Sequence, residues 1–203
     1  MAIIGAILGD ISGSQYEFAR PENLDWKKCK LFTEHCRFTD DTVMTLAAKM
    51  AIINHMPFAD SYRMLGRKYR RAGYGGMFRT WLDHDEQEAY HSFGNGSAMR
   101  CSYIGEHFHT EQEIIEWATK SADCTHNHPE GIKGAVVTAM CIYMARTGAS
   151  KSARHKRNTP PRLPVPQARS VFFRRIAPAL GNLTFCKHPD IRFDHIPDQY
   201  RII

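Results

Sequence analysis

In the first 150 positions of this chain, apolar residues recur at three- and four-residue spacing and alternating β-branched runs are scarce, so the segment must build helices rather than strands. After Asp41, the residues Val43, Leu46, Ala47 and Met50 share one helical face, and Tyr62, Leu65, Tyr69 and Ala72 share another further on. Thr110 followed by Glu113 is a capping box, with Ile114, Ile115, Ala118 and Ala122 behind it as a face to bury. Pro129 opens the next helix, lined by Ile132, Ala135, Val136, Ala139 and Tyr143, and Gly148 after Arg146 is a stop signal. The expected fold class is all-α. No internal repeat at a solenoid period is visible.

Charge divides the chain. Residues 1 to 150 hold 16 Lys and Arg against 18 Asp and Glu, whereas residues 151 to 203 hold 11 against 3, so the net +6 comes from the tail. Prolines at 160, 161, 164 and 166 interrupt that basic segment, where a helix is expected at most over 170–180. The expected organisation is therefore a helical domain over 1–150 and a basic Pro/Arg-rich tail over 151–203. The apolar start from Ala2 to Leu8 is too short to span a membrane and runs into Asp10, so Met1 is expected to begin a cytoplasmic protein. Six cysteines without CxxC spacing read as free thiols, and the pairs His107/His109 and His126/His128 lack the further ligand pair of a structural zinc site.

Two stretches carry side chains suited to chemistry. Thr39-Asp40-Asp41-Thr42 stands at a helix start. One reading is structural: Thr39 or Asp40 caps the helix, worth ~1 kcal/mol, and the other acid offsets the positive end of its dipole. The other is functional: adjacent carboxylates with a hydroxyl are hard oxygen ligands that suit Mg²⁺ and leave places for water and substrate. The earlier stretch has glycines at 5, 9 and 13, followed by Glu17. Taken alone, those glycines predict a helix face that another backbone can approach closely.

The order of four motifs decides between these readings. Gly5-Ala6-Ile7-Leu8-Gly9-Asp10-Ile11-Ser12-Gly13 with Glu17, then Thr39-Asp40-Asp41-Thr42, then Ser92-Phe93-Gly94-Asn95-Gly96-Ser97-Ala98-Met99-Arg100, then Thr125-His126, resemble the ADP-ribosylglycohydrolases over about residues 2 to 150. Singly, Gly94-Asn95-Gly96 is turn chemistry and His126 a cap or core histidine.

The resemblance implies a Mg²⁺-dependent hydrolase that cuts the bond between ribose C1 of ADP-ribose and a protein side chain. It implies that Thr39, Asp40 and Asp41 are ligands to a pair of Mg²⁺ ions. Glu17 and Asp41 would be the catalytic carboxylates. Ser92, Phe93, Gly94, Asn95 and Gly96 would form the substrate loop, with His126 beside the diphosphate or adenosine. The implied partner is an ADP-ribosylated protein or free ADP-ribose, with neither membrane nor nucleic acid.

The resemblance fails in the tail. The family's second acidic motif, Asp-x-Asp followed by Thr or Ser, has no counterpart, and Asp190, Asp194 and Asp198 sit among prolines and aromatics. A fold incomplete at its carboxy terminus is the expectation, with the tail either a disrupted reading frame or a native extension. A binding protein with weak or no turnover is the alternative function.

Overall fold

The structure, a computed structural model, describes residues 1–18, 22, 25 and 28–149. The tail and everything expected of it, including the 150/151 boundary, lie outside the described residues.

The elements run α1 (Ala2–Gly13), a 3₁₀ turn (Ser14–Tyr16), α2 (Asp40–Ile53), α3 (Phe58–Lys68), α4 (Gly76–Asp83), α5 (Gly96–Met99), α6 (Ser102–His107), α7 (Glu111–Asp123) and α8 (Pro129–Arg146). The described residues contain no strand, so the all-α expectation holds. None of these helices is long and apolar enough to cross a membrane.

The caps anticipated from local sequence form as expected. Thr110 Oγ1 accepts from Glu113 N at 3.2 Å, and Glu113 Oε2 accepts from Thr110 N at 2.9 Å, which satisfies two donors at the start of α7. Pro129 occupies the first turn of α8, and His128 Nδ1 accepts from Glu130 N at 3.1 Å. At the other end Gly148 takes φ +85°, and Ala149 N donates to Met144 O at 2.9 Å, closing α8 where a left-handed residue was expected.

One core joins α2, α3, α4, α6, α7 and α8. Met44, Ala47, Ala48, Tyr62, Ile104, Ile114, Ala118 and Ala139 are fully buried in it. Each large apolar side chain there contributes ~1.5–3 kcal/mol by leaving water. The small ones let helices close: a Cβ on Gly105 of α6 would strike the Ala139 carbonyl of α8 and lie 2.7 Å from Ile142 Cβ.

Three face assignments change. Leu46 is exposed, because α2 buries its opposite sides through Val43, Met44, Ala47, Ala48 and Ala51. Tyr69 lies beyond the last residue of α3 and is exposed, its ring edge-on to Phe38 at 5.9 Å. The α1 glycines receive no backbone from the described residues. Among the described residues nothing comes within 4 Å of a Cβ built at Gly5, Gly9 or Gly13, and α1 instead docks through Ile3 and Ile7 on its other side.

Candidate functional site

The start of α2 is fastened to α1 by one carboxylate. Asp10 Oδ2 accepts from Thr39 N at 2.8 Å, from Thr42 N at 3.2 Å and from the Thr42 hydroxyl, while Oδ1 accepts from Thr39 Oγ1 at 2.6 Å. Two otherwise orphan N–H groups are thereby satisfied from another helix. Thr39 is the N-cap residue in the ordinary sense, its Oγ1 accepting from Asp41 N at 3.2 Å. Its single proton has two carboxylates in reach, Asp10 at 2.6 Å and Asp41 at 3.3 Å, and the shorter contact wins. The hydroxyl oxygen keeps lone-pair capacity.

Capping therefore occupies Thr39 and Asp10 and leaves Asp40 and Asp41 for other work. Both carboxyls are pushed up to about 6. For Asp40 the largest cause is burial, with the charges of Glu17 and Asp10 adding to it. For Asp41 it is again burial, then the charges of Asp40 and Asp10, with the Thr39 hydrogen bond pulling the other way. Glu17, exposed just past the 3₁₀ turn, is thus electrostatically coupled to the pair it was expected to join. The connection behind this cluster is stitched to the turn: Arg37 N donates to Ser14 Oγ at 3.0 Å, and Thr33 Oγ1 to Gln15 Oε1 at 2.8 Å.

The donor set has the chemistry of a hard divalent cation site: carboxylates that repel one another in the absence of positive charge, with a hydroxyl oxygen between them. Among the described residues no three His, Cys, Asp or Glu side chains group so as to hold a metal ion. Two carboxylates and a hydroxyl could supply only part of a Mg²⁺ shell, the rest being water and substrate oxygens.

The second cluster surrounds the glycine loop. Ser92, buried, donates its N–H to Thr125 O at 3.4 Å, and its Oγ accepts from Gly94 N at 3.2 Å. Ser97 Oγ donates to Gly131 O at 2.7 Å, tying the start of α5 to α8. Space is the reason for the glycines. A Cβ on Gly96 would lie 2.9 Å from both His126 Nε2 and Cε1, and one on Gly131 only 2.6 Å from the Ser92 carbonyl oxygen. Asn95 and Phe93 are exposed, and the Phe93 ring lies 5.3 Å from that of His128.

His126 is 4% exposed, and its pKa is lowered to about 3 by burial first and the Arg100 charge second, so it is neutral. Its Nδ1 lies 2.8 Å from Thr125 Oγ1, which accepts from Arg100 Nη2 at 2.8 Å. Thr45 Oγ1 of α2 donates to Met99 O of α5 at 3.3 Å, connecting the helix of the acidic pair to the helix of the loop.

The structure thus brings Glu17, Thr39, Asp40 and Asp41 into one cluster and Ser92, Gly94, Gly96 and His126 into another, with Phe93 and Asn95 on the rim. Residue patterns alone assigned no role to Asp10, Arg100 or Thr125. Asp10 and Arg100 carried a signal, a lone acid and a lone base inside otherwise apolar or small-residue runs.

The ADP-ribosylglycohydrolase family model matches residues 1–185, which carries the likeness past the change in composition at 150. The ADP-ribosylhydrolase ARH3 of Mus musculus is 28% identical over 182 aligned positions, covering 74% of this chain and 49% of the relative. The Homo sapiens protein of the same name is 26% identical over 182 positions, with 74% and 50% covered. The Danio rerio one is 23% identical over 175 positions, with 73% and 47% covered. The chain spans about half the length of these relatives.

Proposed function

This chain belongs to the ADP-ribosylglycohydrolase family, and from that premise we propose that it hydrolyses the bond between ribose C1 of ADP-ribose and a modified protein side chain in a Mg²⁺-dependent reaction. The observation that carries the reading is the pairing of Asp40 and Asp41 at the start of α2, both raised to about 6 by burial and by the charges of Asp10 and Glu17. Such a pair is poorly explained by capping, which Thr39 and Asp10 already perform.

In this reading Thr39, Asp40 and Asp41 hold the metal through hydroxyl and carboxylate oxygens. Bound Mg²⁺ would orient the ribose hydroxyls and offset the charge of the carboxylates. Cleavage through an oxocarbenium-like transition state needs a protonated leaving group and an activated water. Glu17, exposed and coupled to the pair, is the group free to exchange a proton with solvent. Asp41, raised to about 6 in the metal-free chain, would be held ionised by the bound cation, so its part would be to accept a proton from the attacking water.

Backbone N–H groups of the loop other than those of Ser92 and Gly94, which donate to Thr125 O and Ser92 Oγ, suit phosphate oxygens, and the exposed Phe93 ring is placed to stack on a base. His126 presents Nε2 to the same loop. The substrate class is an ADP-ribosylated protein or ADP-ribose itself. A cytoplasmic setting fits Cys29, Cys36, Cys101 and Cys124, none of which is in a disulfide.

Calorimetry with ADP-ribose, in Mg²⁺ and then in EDTA, tests the proposal against Asp40→Ala/Asp41→Ala. Metal-dependent binding that the double variant loses, followed by release of ADP-ribose from a modified peptide, is expected. Binding without release would favour the second reading, a binding protein whose partial ligand set supports recognition but not turnover. A folded chain that binds nothing would refute both.

A further inference from the structure

His126 faces the glycine loop with one nitrogen and the protein interior with the other. On the interior side the contacts run from Arg100 through Thr125, and the first of them has a direction fixed by chemistry. Arg100 is fully buried, its guanidinium 4.1 Å from the Tyr62 ring centroid, and its Nη2 donates to Ser121 O at 2.7 Å and to Thr125 Oγ1 at 2.8 Å. A guanidinium has only donors, so the Thr125 oxygen is the acceptor of that bond. The hydroxyl then has one proton to give, and His126 Nδ1 stands 2.8 Å away. Were Nδ1 the donor instead, Thr125 Oγ1 would accept twice and its own proton would fall to the Cys124 thiol, a weak sulfur acceptor.

We propose that Arg100 and Thr125 are positioning residues that hold His126 as a neutral imidazole with its proton on Nε2, a fixed hydrogen-bond donor aimed at the loop Ser92–Gly96. The loop geometry supports the direction of the donor. Nε2 would be 2.9 Å from a Cβ at Gly96 and 3.8 Å from one at Gly94, so the face on which the proton lies is the face kept clear of side chains. The groups that could change the ring's charge are Arg100, a cation that opposes protonation, and Tyr90, whose ring centroid is 6.0 Å away and whose hydroxyl stays neutral because burial raises its pKa. The natural recipient is an anionic oxygen of the diphosphate in ADP-ribose. That clause rests on the proposed function; the tautomer does not.

The consequence is specific. A neutral donor contributes the same hydrogen bond across the pH range in which an ordinary histidine would gain and lose its charge. Recognition by His126 is then a matter of geometry, with the positive charge one residue removed, on Arg100.

Long-range ¹H–¹⁵N correlation spectra of the histidine rings, with His126 assigned through His126→Gln, read the tautomer in the free chain. The expected spectrum has Nδ1 as a bare acceptor and Nε2 protonated from about pH 6 to pH 8. Thr125→Val, close in shape but without the hydroxyl, should give a mixture of tautomers, and Thr125→Ser should restore the single form. The proton on Nδ1, an imidazolium in that window, or a Thr125→Val spectrum unchanged from the parent would overturn the inference. ADP-ribose affinity should fall ~3- to 10-fold in Thr125→Val and recover in Thr125→Ser. A parent chain with the expected tautomer and no ADP-ribose binding would instead refute the functional reading, and the positioning by Arg100 and Thr125 would stand.

Discussion

The two clusters are built on opposite principles. At the α1–α2 junction the polar groups are carboxylates, half-buried and mutually repelling, held in place by a single acid that accepts from Thr39 and Thr42. Around the loop they are neutral or singly positive, buried, and packed so closely that glycines at 96 and 131 are required. The first arrangement stores unfavourable charge that a cation can relieve. The second has little room to respond to anything. A site assembled from both would pair an adaptable end for the metal with a rigid end for the part of the ligand that must be recognised.

Four measurements sharpen or break this contrast. Gly131→Ala should be the most damaging, because its obstacles are backbone oxygens, Ser92 O at 2.6 Å and His126 O at 2.9 Å, which cannot rotate away. A loss of about 3 kcal/mol in chemical denaturation is expected. A loss below about 0.5 kcal/mol would show the loop side to be as yielding as the acidic side.

Acid should act on the clusters with opposite sign. The folded pKa of His126 is depressed to about 3, so its contribution is whole above the unfolded value and is lost as pH falls below that value toward 3. The expected loss is about 2 kcal/mol by about pH 5. Asp40 and Asp41 are raised to about 6, so the folded chain binds protons more tightly there. Their stabilising effect is present below the unfolded carboxylate value and disappears as pH rises through 6. After screening by solvent it amounts to about 1 kcal/mol. Denaturation curves of His126→Gln should show a flatter acid limb than the parent. Those of Asp40→Asn/Asp41→Asn should show a steeper one. The reverse pairing would contradict the assigned environments.

Asp10→Ala removes the acceptor shared by two N–H groups and two hydroxyls. A loss of about 1.5 kcal/mol is expected by thermal unfolding, together with loss of Mg²⁺ binding by calorimetry. Unchanged metal affinity would mean that the α2 start organises itself. The smallest effect belongs to Gly9→Ala, where a Cβ meets none of the described residues and helix propensity favours alanine, for a gain of about 0.5 kcal/mol. A loss there would reinstate the close helix packing expected from the glycine spacing.

What was legible beforehand follows the range of the interaction. The capping box at Thr110, the proline start at 129 and the glycine stop at 148 involve residues within one turn of each other, and each formed as expected. The helix start at Thr39-Asp40-Asp41 was legible for the same reason, its residues being contiguous. The facing of Leu46 and of the α1 glycines was not, because a face is apolar by composition but buried only if a neighbour arrives. Asp10 acts on residues 29 and 32 positions later, and Arg100 on one 25 later, so their roles depended on a docking that periodicity cannot supply. The short helices α5 and α6 escaped notice because too few residues lie in each for a period to register.

The clasp at Asp10 also bears on the order in which the chain assembles. Helices α7 and α8 carry their own end signals and are joined by a short connection, so they can pair with little loss of chain freedom. Asp10 and Thr39 must instead close a 29-residue span, and nothing rewards the closure until both α1 and α2 exist. The acidic end is therefore expected to form late and to open first. Thr110→Ala should slow refolding, whereas Asp10→Ala should leave refolding nearly unchanged and speed unfolding, as stopped-flow kinetics would record. Late formation would make the acidic end a product of the finished fold rather than a nucleus for it.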